Sequence, residues 1–324
     1  MLAKSLRLLL LCAALLWVHH STAQYSNYTE PLQETRGSSG INFYFGANTF
    51  LGDLGGNRGI GKPFIKDFNI KTIRPYVGIS YTYFPYNWLS VKGGVHFTTI
   101  NGADSLITNK EGHAAGRFAR HLQFESNITE LSAEAEFYPF QTLWNYEETR
   151  WRPFIGSGIG LFHFNPKAQL NGKWYNLQPL HLEGQGFAEY PERKDYKLIQ
   201  PYIPLTFGMK YRVNNNLFVS LSSCTRTTFT DYIDDVSTTY IDPKLFDKYL
   251  SRANAILAKQ LYYRAPASEI YSTTQYRGYG SKDSYTTFFL TITYLFTRDG
   301  YNLIGNKRSR GCYNFNKGSR SRRF

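Results

Sequence analysis

Cysteine, methionine and histidine are scarce: the 324 residues include three Cys, two Met and seven His. Cys12 lies in the N-terminal apolar run, so a mature chain keeps Cys224 and Cys312, too few for a disulfide framework. No segment carries 18 consecutive apolar residues, which excludes a spanning helix. His96 and His163 fall in strand-like segments, His113, His121 and His181 in links, and none sits in a G-x-S-x-G nucleophile motif. Asp231, Asp234, Asp235 and Asp242 are rich enough in oxygen for calcium but lack EF-hand spacing, and such residues also turn and cap loops. No catalytic set, cofactor or metal is expected, and the chain is expected not to be an enzyme.

Aromatic residues are abundant: Tyr 26, Phe 24 and Trp 5 make up 17% of the chain, at a mean hydropathy of −0.40. The chain opens with Lys4 and Arg7, then an apolar run from Leu8 to Val18, then Ser21 and Ala23. That order predicts a signal peptide over 1–23 with cleavage after Ala23. An exported, aromatic-rich chain without a spanning helix is either a secreted β protein or an outer-membrane barrel.

Alternation over about ten residues favours the barrel. In "WLSVKGGVHFT", Leu89, Val91, Val95 and Phe97 oppose Ser90, Lys92, His96 and Thr98. In "ITELSAEAEFY", Leu131, Ala133, Ala135 and Phe137 oppose Glu130, Ser132, Glu134 and Glu136. "QPYIPLTFGMKYR" and "YTTFFLTITYLF" alternate likewise, and weaker candidates at 41–50, 75–84, 153–164 and 216–229 bring the strands to eight. The links alternate long (51–74, 99–127, 165–198, 230–284) and short (85–87, 138–152, 213–216). A membrane barrel does this because its periplasmic turns are short and its outer loops long, whereas the two ends of a soluble sandwich are equivalent.

The expected fold is thus all-β: an eight-stranded antiparallel outer-membrane barrel over 40–296, with both termini periplasmic and a periplasmic segment at 24–39. Its localisation would be the outer membrane of a Gram-negative bacterium. Lys92, His96, Glu130, Glu134, Glu136, Lys210, Arg212 and Arg226 would form a polar interior, with carboxylates of the fourth strand pairing with bases of the third. Asp242-Pro243 and the spacing of Leu245, Tyr249, Ala253, Leu257 and Leu261 predict one helix at about 243–262 in the last outer loop. Residues 297–324 hold eight Lys or Arg against Asp299 alone, so +7 of the formal +13 sits there. This tail is expected to be disordered, with Lys307, Arg308, Arg310, Lys317, Arg320, Arg322 and Arg323 available to a periplasmic acidic partner or to anionic headgroups. An exported tail meets little nucleic acid, so nucleic acid is not expected as a partner.

Three stretches carry a resemblance: "YFGANTFLGDLGG" (44–56), "FNPKAQLNGKWYNLQPLHLEGQG" (164–186) and "TFTDYIDDVSTTYID" (228–242). They resemble the motifs of a Bacteroidetes outer-membrane barrel family of the PorG kind, a component of the type IX secretion system. The middle motif supplies Asn165, Pro166, Trp174, Tyr175, Gln178, Pro179, Glu183, Gly184 and Gly186 as family-motif loop residues. The resemblance implies a non-enzymatic interaction barrel in contact with outer-membrane lipid and with periplasmic ring proteins like PorK and PorN. The alternative is a small barrel of another role, a solute channel or a lipid- or surface-binding barrel. Trp174 and Tyr175 are expected to pack over the barrel mouth.

Overall fold

The computed structural model describes residues 35–52, 54, 70–107, 118, 120–143, 149–264, 275–278, 280 and 282–296. The signal peptide (1–23), the segment from 24 to 34, Cys312 and the basic tail with its seven named cations lie outside the described residues.

The strands are β1 (Ser39–Leu51), β2 (Arg74–Tyr86), β3 (Leu89–Ala103), β4 (Gln123–Phe137), β5 (Trp151–His163), β6 (Pro166–Leu170), β7 (Lys173–Asn176), β8 (Ile199–Arg212), β9 (Leu217–Thr228) and β10 (Ser284–Leu295). All pairings are antiparallel, and the sheet runs β3-β2-β1-β10-β9-β8-β5-β4. A further pairing of β3 with β4, from Leu89↔Phe137 to Ala103↔Gln123, closes it into an eight-stranded barrel. β6 and β7 form a hairpin attached to the top of β4 through Glu125↔Lys167. Closure leaves no lipid-facing edge.

Side-chain alternation makes this sheet a membrane wall. Along β4, Phe124, Ser126, Ile128, Glu130, Ser132 and Glu136 point inward and are buried, while Leu131 and Phe137 point outward and are exposed. Every barrel strand supplies such outward residues, among them Phe45, Ile79, Phe97, Ile159, Phe207, Leu221 and Leu290. Ile159 is 71% exposed and Leu221 68%. A continuous apolar girdle would be untenable in water, where each such side chain forgoes roughly 1.5–3 kcal/mol of burial. It fits the hydrocarbon of a bilayer.

At the short-turn rim the outer wall turns aromatic. Tyr86 stacks on Trp88 at 5.1 Å, Trp88 meets Phe137 at 6.0 Å, and Trp151 meets Tyr211 at 4.6 Å. Such a belt marks the headgroup level. The turns beneath it are tight: Asn214 Oδ1 accepts from the backbone N–H groups of Asn216 and Leu217, closing the β8–β9 turn. The β4–β5 link carries one helical turn, α1 (Phe140–Leu143).

The strands run 12–15 residues, longer than the roughly 9–11 that cross a bilayer, so the barrel rises above the membrane on its long-loop side. Residues 99–103 and 123–127, expected in a link, are paired strand, with Ile100 and Phe124 buried inside. The single expected helix is two, α2 (Lys244–Tyr249) and α3 (Arg252–Tyr262). The break is local chemistry: Ser251 turns extended, and its hydroxyl accepts from Asn254 N at 3.3 Å as a new N-cap. The break also rotates the buried stripe. Ala255, Ala258, Leu261 and Tyr262 are buried, while Ala253 is exposed.

Candidate functional site

The barrel interior is layered, and register along β4 gives the order from the short-turn end. Lowest is an apolar floor of Phe84, Tyr138, Phe154, Phe218 and Leu295. Above it Glu136 accepts from Lys92 Nζ at 2.9 Å, Lys210 Nζ at 2.9 Å and the Tyr138 hydroxyl at 2.5 Å. Glu134 lies 3.3 Å from Lys92 Nζ. The middle layer holds Tyr44, Tyr76, Phe289, Cys224 and His96. Higher still, Glu130 accepts from Arg226 Nε at 2.9 Å, the Tyr285 hydroxyl at 3.0 Å and the Tyr202 hydroxyl at 3.2 Å. A second apolar layer with Phe50, Ile100, Phe124, Phe162, Phe164 and Tyr285 closes the top.

The expected lumen residues are all inside the barrel, but one expected pairing differs. His96 stands opposite Glu130 in register yet does not pair with it. Its ring stacks on Tyr76 at 5.4 Å and meets Tyr44 edge-on at 4.8 Å, and its Nε2 lies 3.5 Å from Ser132 Oγ. Glu130 is drawn across the lumen to Arg226, whose Nη2 also donates to the Tyr76 hydroxyl at 2.8 Å. Arg212 sits at the short-turn end, donating to the Asn214 carbonyl and to Asn215 Oδ1. The buried tyrosines that complete both ion layers follow from the same alternation, because Tyr76, Tyr138, Tyr202 and Tyr285 all occupy inward positions.

The long loops form a cap with its own core. The segment 165–198 supplies Ala168, Leu177, Leu180, Leu182 and Phe187, and α2 and α3 supply Phe246, Ala255, Ala258, Leu261 and Tyr262. Phe187 stacks on Tyr249 at 4.4 Å. The segment 165–198, expected as a link, contains the β6–β7 hairpin, turned by Asn171 (φ 50) and Gly172 (φ 80). Asn-Gly is the dipeptide that accepts this left-handed pair.

Trp174 does not cover the mouth: it is 46% exposed on the hairpin, whereas Tyr175 is partly buried against the cap core. The other motif residues build the turns. The Asn165 N–H donates to Ser126 Oγ at 2.9 Å, and Pro166 opens β6. Gln178 and Pro179 open a single turn, and Gly184 (φ 73) and Gly186 (φ 77) occupy left-handed positions.

Glu183 is the keystone of the cap. It is fully buried, and its carboxylate accepts from Ser237 N at 3.0 Å, Thr238 N at 2.9 Å, Thr238 Oγ1 at 2.7 Å and Arg277 Nη1 at 3.2 Å. Arg277 also lies 3.5 Å from Asp235 Oδ2, and the Tyr196 hydroxyl donates to Asp235 Oδ1 at 2.7 Å. Burial pushes the Asp235 carboxyl up to about 6 against the pull of Arg277 and Tyr196, and burial with the neighbouring Asp235 raises Tyr196 well above its ordinary value. Arg120 holds Asp104 in a two-toothed pair, both distances 3.0 Å, and donates to the Arg277 carbonyl. Three loops thus meet at one arginine.

The aspartates weighed for calcium are used structurally. Asp234 accepts from Leu54 N and Val236 N, Asp231 accepts from Ser237 Oγ, and Asp242 accepts from Lys244 N at the start of α2. The cleft among Leu54, Leu122, Ala168, Leu177, Asp234 and Arg277 has room for about one water molecule, too little for an organic ligand. His163 points outward from the end of β5, and His181 Nδ1 lies 2.9 Å from Asp195 in a cap turn.

A closed barrel with an apolar wall, an ion-paired interior, short turns at one rim and long loops at the other is a Gram-negative outer-membrane β-barrel. The family described as Domain of unknown function (DUF6089) matches residues 37–246, and the chain belongs to that family. The match spans β1 to the start of α2 and includes all three motif stretches. Among solved structures, the chain is similar to Ail, the attachment invasion locus protein of Yersinia pestis (9% identity, 81% of this chain and 99% of that chain, TM-score 0.35). It is similar to Neisserial surface protein A (9% identity, 80% and 97%, TM-score 0.35) and to OprG from Pseudomonas aeruginosa (9% identity, 81% and 96%, TM-score 0.32). At such TM-scores these likenesses lend no weight to any shared role. A comparison with curated proteins finds no match.

Proposed function

We propose that this chain is a non-enzymatic interaction barrel of the type IX secretion apparatus, of the PorG-like kind suggested by its motif stretches. The observation that supports it best is the filled interior. Two apolar layers and two ion-paired layers occupy the lumen, and the cap above has a core of its own. A barrel built this way offers surfaces rather than a path. Its partners are then outer-membrane lipid along the girdle and periplasmic ring proteins like PorK and PorN at the short-turn rim. The test is a deletion strain: cargo carrying the C-terminal sorting domain should stay unsecreted, and affinity purification from native membranes should recover the ring lipoprotein. Normal secretion in that strain would sink the reading.

One observation favours a second role, a surface-binding barrel. Trp174, Ile256 and Tyr276 are large, apolar and exposed on the outer cap. Trp174→Ala with unchanged cell-surface adhesion would dispose of it.

A further inference from the structure

The outward face of the wall changes chemistry above the girdle. Along β4 the outward residues Phe137, Ala135, Ala133 and Leu131 give way to Thr129, Asn127, Glu125 and Gln123. β3 changes beside it: Val95 and Phe97 are followed by Thr99 and Asn101, with Phe97 opposite Thr129 and Thr99 opposite Asn127. Elsewhere the wall behaves differently. β8 keeps Ile199 and Pro201 outward to its top, and Phe229 follows β9.

The hairpin widens this polar face. Glu125 pairs with Lys167, which carries the outward row of β4 onto β6, and Gln123 Nε2 donates to the Gln169 carbonyl at 3.1 Å. Gln169 stands opposite Trp174, and Lys167 opposite Asn176. Cross-strand partners share one face of a sheet, so these four look outward with β4, while Ala168, Leu170 and Tyr175 turn into the cap core. The strands β3, β4, β6 and β7 thus form one platform with amides across it and an exposed indole at its edge. Among the described residues its outward positions carry two charges, Glu125 and Lys167, and these stand opposite each other. Arg74, at the β2 edge, donates to the carbonyls of Lys71 and Ile73. A near-neutral surface of amides, hydroxyls and one indole matches a neutral, hydroxyl-rich partner. Amides both donate to and accept from hydroxyls, and an aromatic face packs on the apolar face of a sugar ring.

We propose that this platform binds the neutral saccharide head of an outer-leaflet glycolipid whose acyl chains lie against Val95, Phe97 and Leu131 directly below. Continuity selects the source. The same two strands carry the apolar wall and the platform, so a lipid seated on the wall holds its sugar at the amides at high effective concentration. The proposal deepens the surface-binding reading by giving Trp174 a ligand class, and rests on the outward placing of that side chain.

The test uses the full-length protein in phosphatidylcholine nanodiscs and reads retained lipid by native mass spectrometry. The probes are a diacyl lipid bearing maltohexaose, its sulfated form, the same lipid without sugar, and free maltohexaose. The neutral glycolipid should be retained about threefold or more better than the bare lipid, and that advantage should not change with salt. N127A/Q169A/W174A should lose the advantage and keep the retention of the bare lipid, while Thr227→Ala on β9 should behave like the parent protein. Heat-modified gel mobility reports folding; if the triple variant does not fold, W174A takes its place and should lose about half of the advantage or more. No advantage over the bare lipid, an advantage that survives these variants, or preference for the sulfated form would each overturn the proposal. Free maltohexaose binding as tightly as the glycolipid would overturn the lipid source. Unchanged adhesion of Trp174→Ala cells would remove the adhesion role and leave this comparison untouched, so the two failures are distinguishable.

Discussion

Glu130 and Glu183 are both buried carboxylates that hold an arginine, one inside the membrane barrel and one in the cap above it. Their surroundings differ. Glu130 is held by strands: Arg226, Tyr202 and Tyr285 reach it from β9, β8 and β10, each placed by register. Glu183 is held by turns, and half of its donors are backbone N–H groups of residues 237 and 238. The lumen therefore depends on charge pairing across a rigid wall, and the cap on the ordering of irregular chain. Changes inside the wall should unfold the whole barrel, while changes in the cap should loosen loops and spare the wall.

The largest effect should come from Glu136→Ala. It leaves the Lys210 ammonium buried without its carboxylate and Lys92 with Glu134 alone. Stranding a buried charge costs about 3–5 kcal/mol, read as a fall in the urea midpoint of the whole barrel. Glu183→Ala should be smaller and local. It orphans the buried Ser237 N–H and the half-buried Thr238 N–H, at about 1–3 kcal/mol, and should open the loops to limited proteolysis while the heat-modified gel mobility of the barrel is kept. A drop in the urea midpoint as large as that of Glu136→Ala would erase the distinction.

Asp235 sharpens the comparison with pH. Its folded pKa, about 6, lies above the ordinary 3.8, and Arg277, Tyr196 and Glu183 face it. The folded cap thus holds this proton more tightly than the open chain does. The resulting stability is full below 3.8 and is lost as pH rises through about 6. Protease resistance of the cap should decline over that window, and Asp235→Asn should flatten the decline. The smallest effect belongs to Ser251→Ala, which removes one N-cap for about 1 kcal/mol and should fray only α3, visible in amide exchange.

The wall was legible in the sequence, whereas of the cap only a helical stretch was, for a physical reason. A strand in a membrane wall must alternate, so Glu130, Glu136, Lys92, Lys210 and Arg226 announce their inward direction by parity. Which base meets which carboxylate is decided across the lumen, so register misled for His96 opposite Glu130. In the cap, outside α2, α3 and the β6–β7 hairpin, no period constrains the chain. Arg277, which joins three loops, carries no local signal. Two features could have been seen: Asn171-Gly172 is a hairpin signature, and Ser251 is a capping residue where the helical stripe shifts.

The barrel is filled from floor to cap. The most direct measurement is conductance of the full-length protein reconstituted in a planar bilayer. The layered interior predicts a baseline without channel openings, both for the parent protein and for Glu183→Ala with its loosened cap. Steady openings in the parent protein would contradict the filled interior and revive the solute channel.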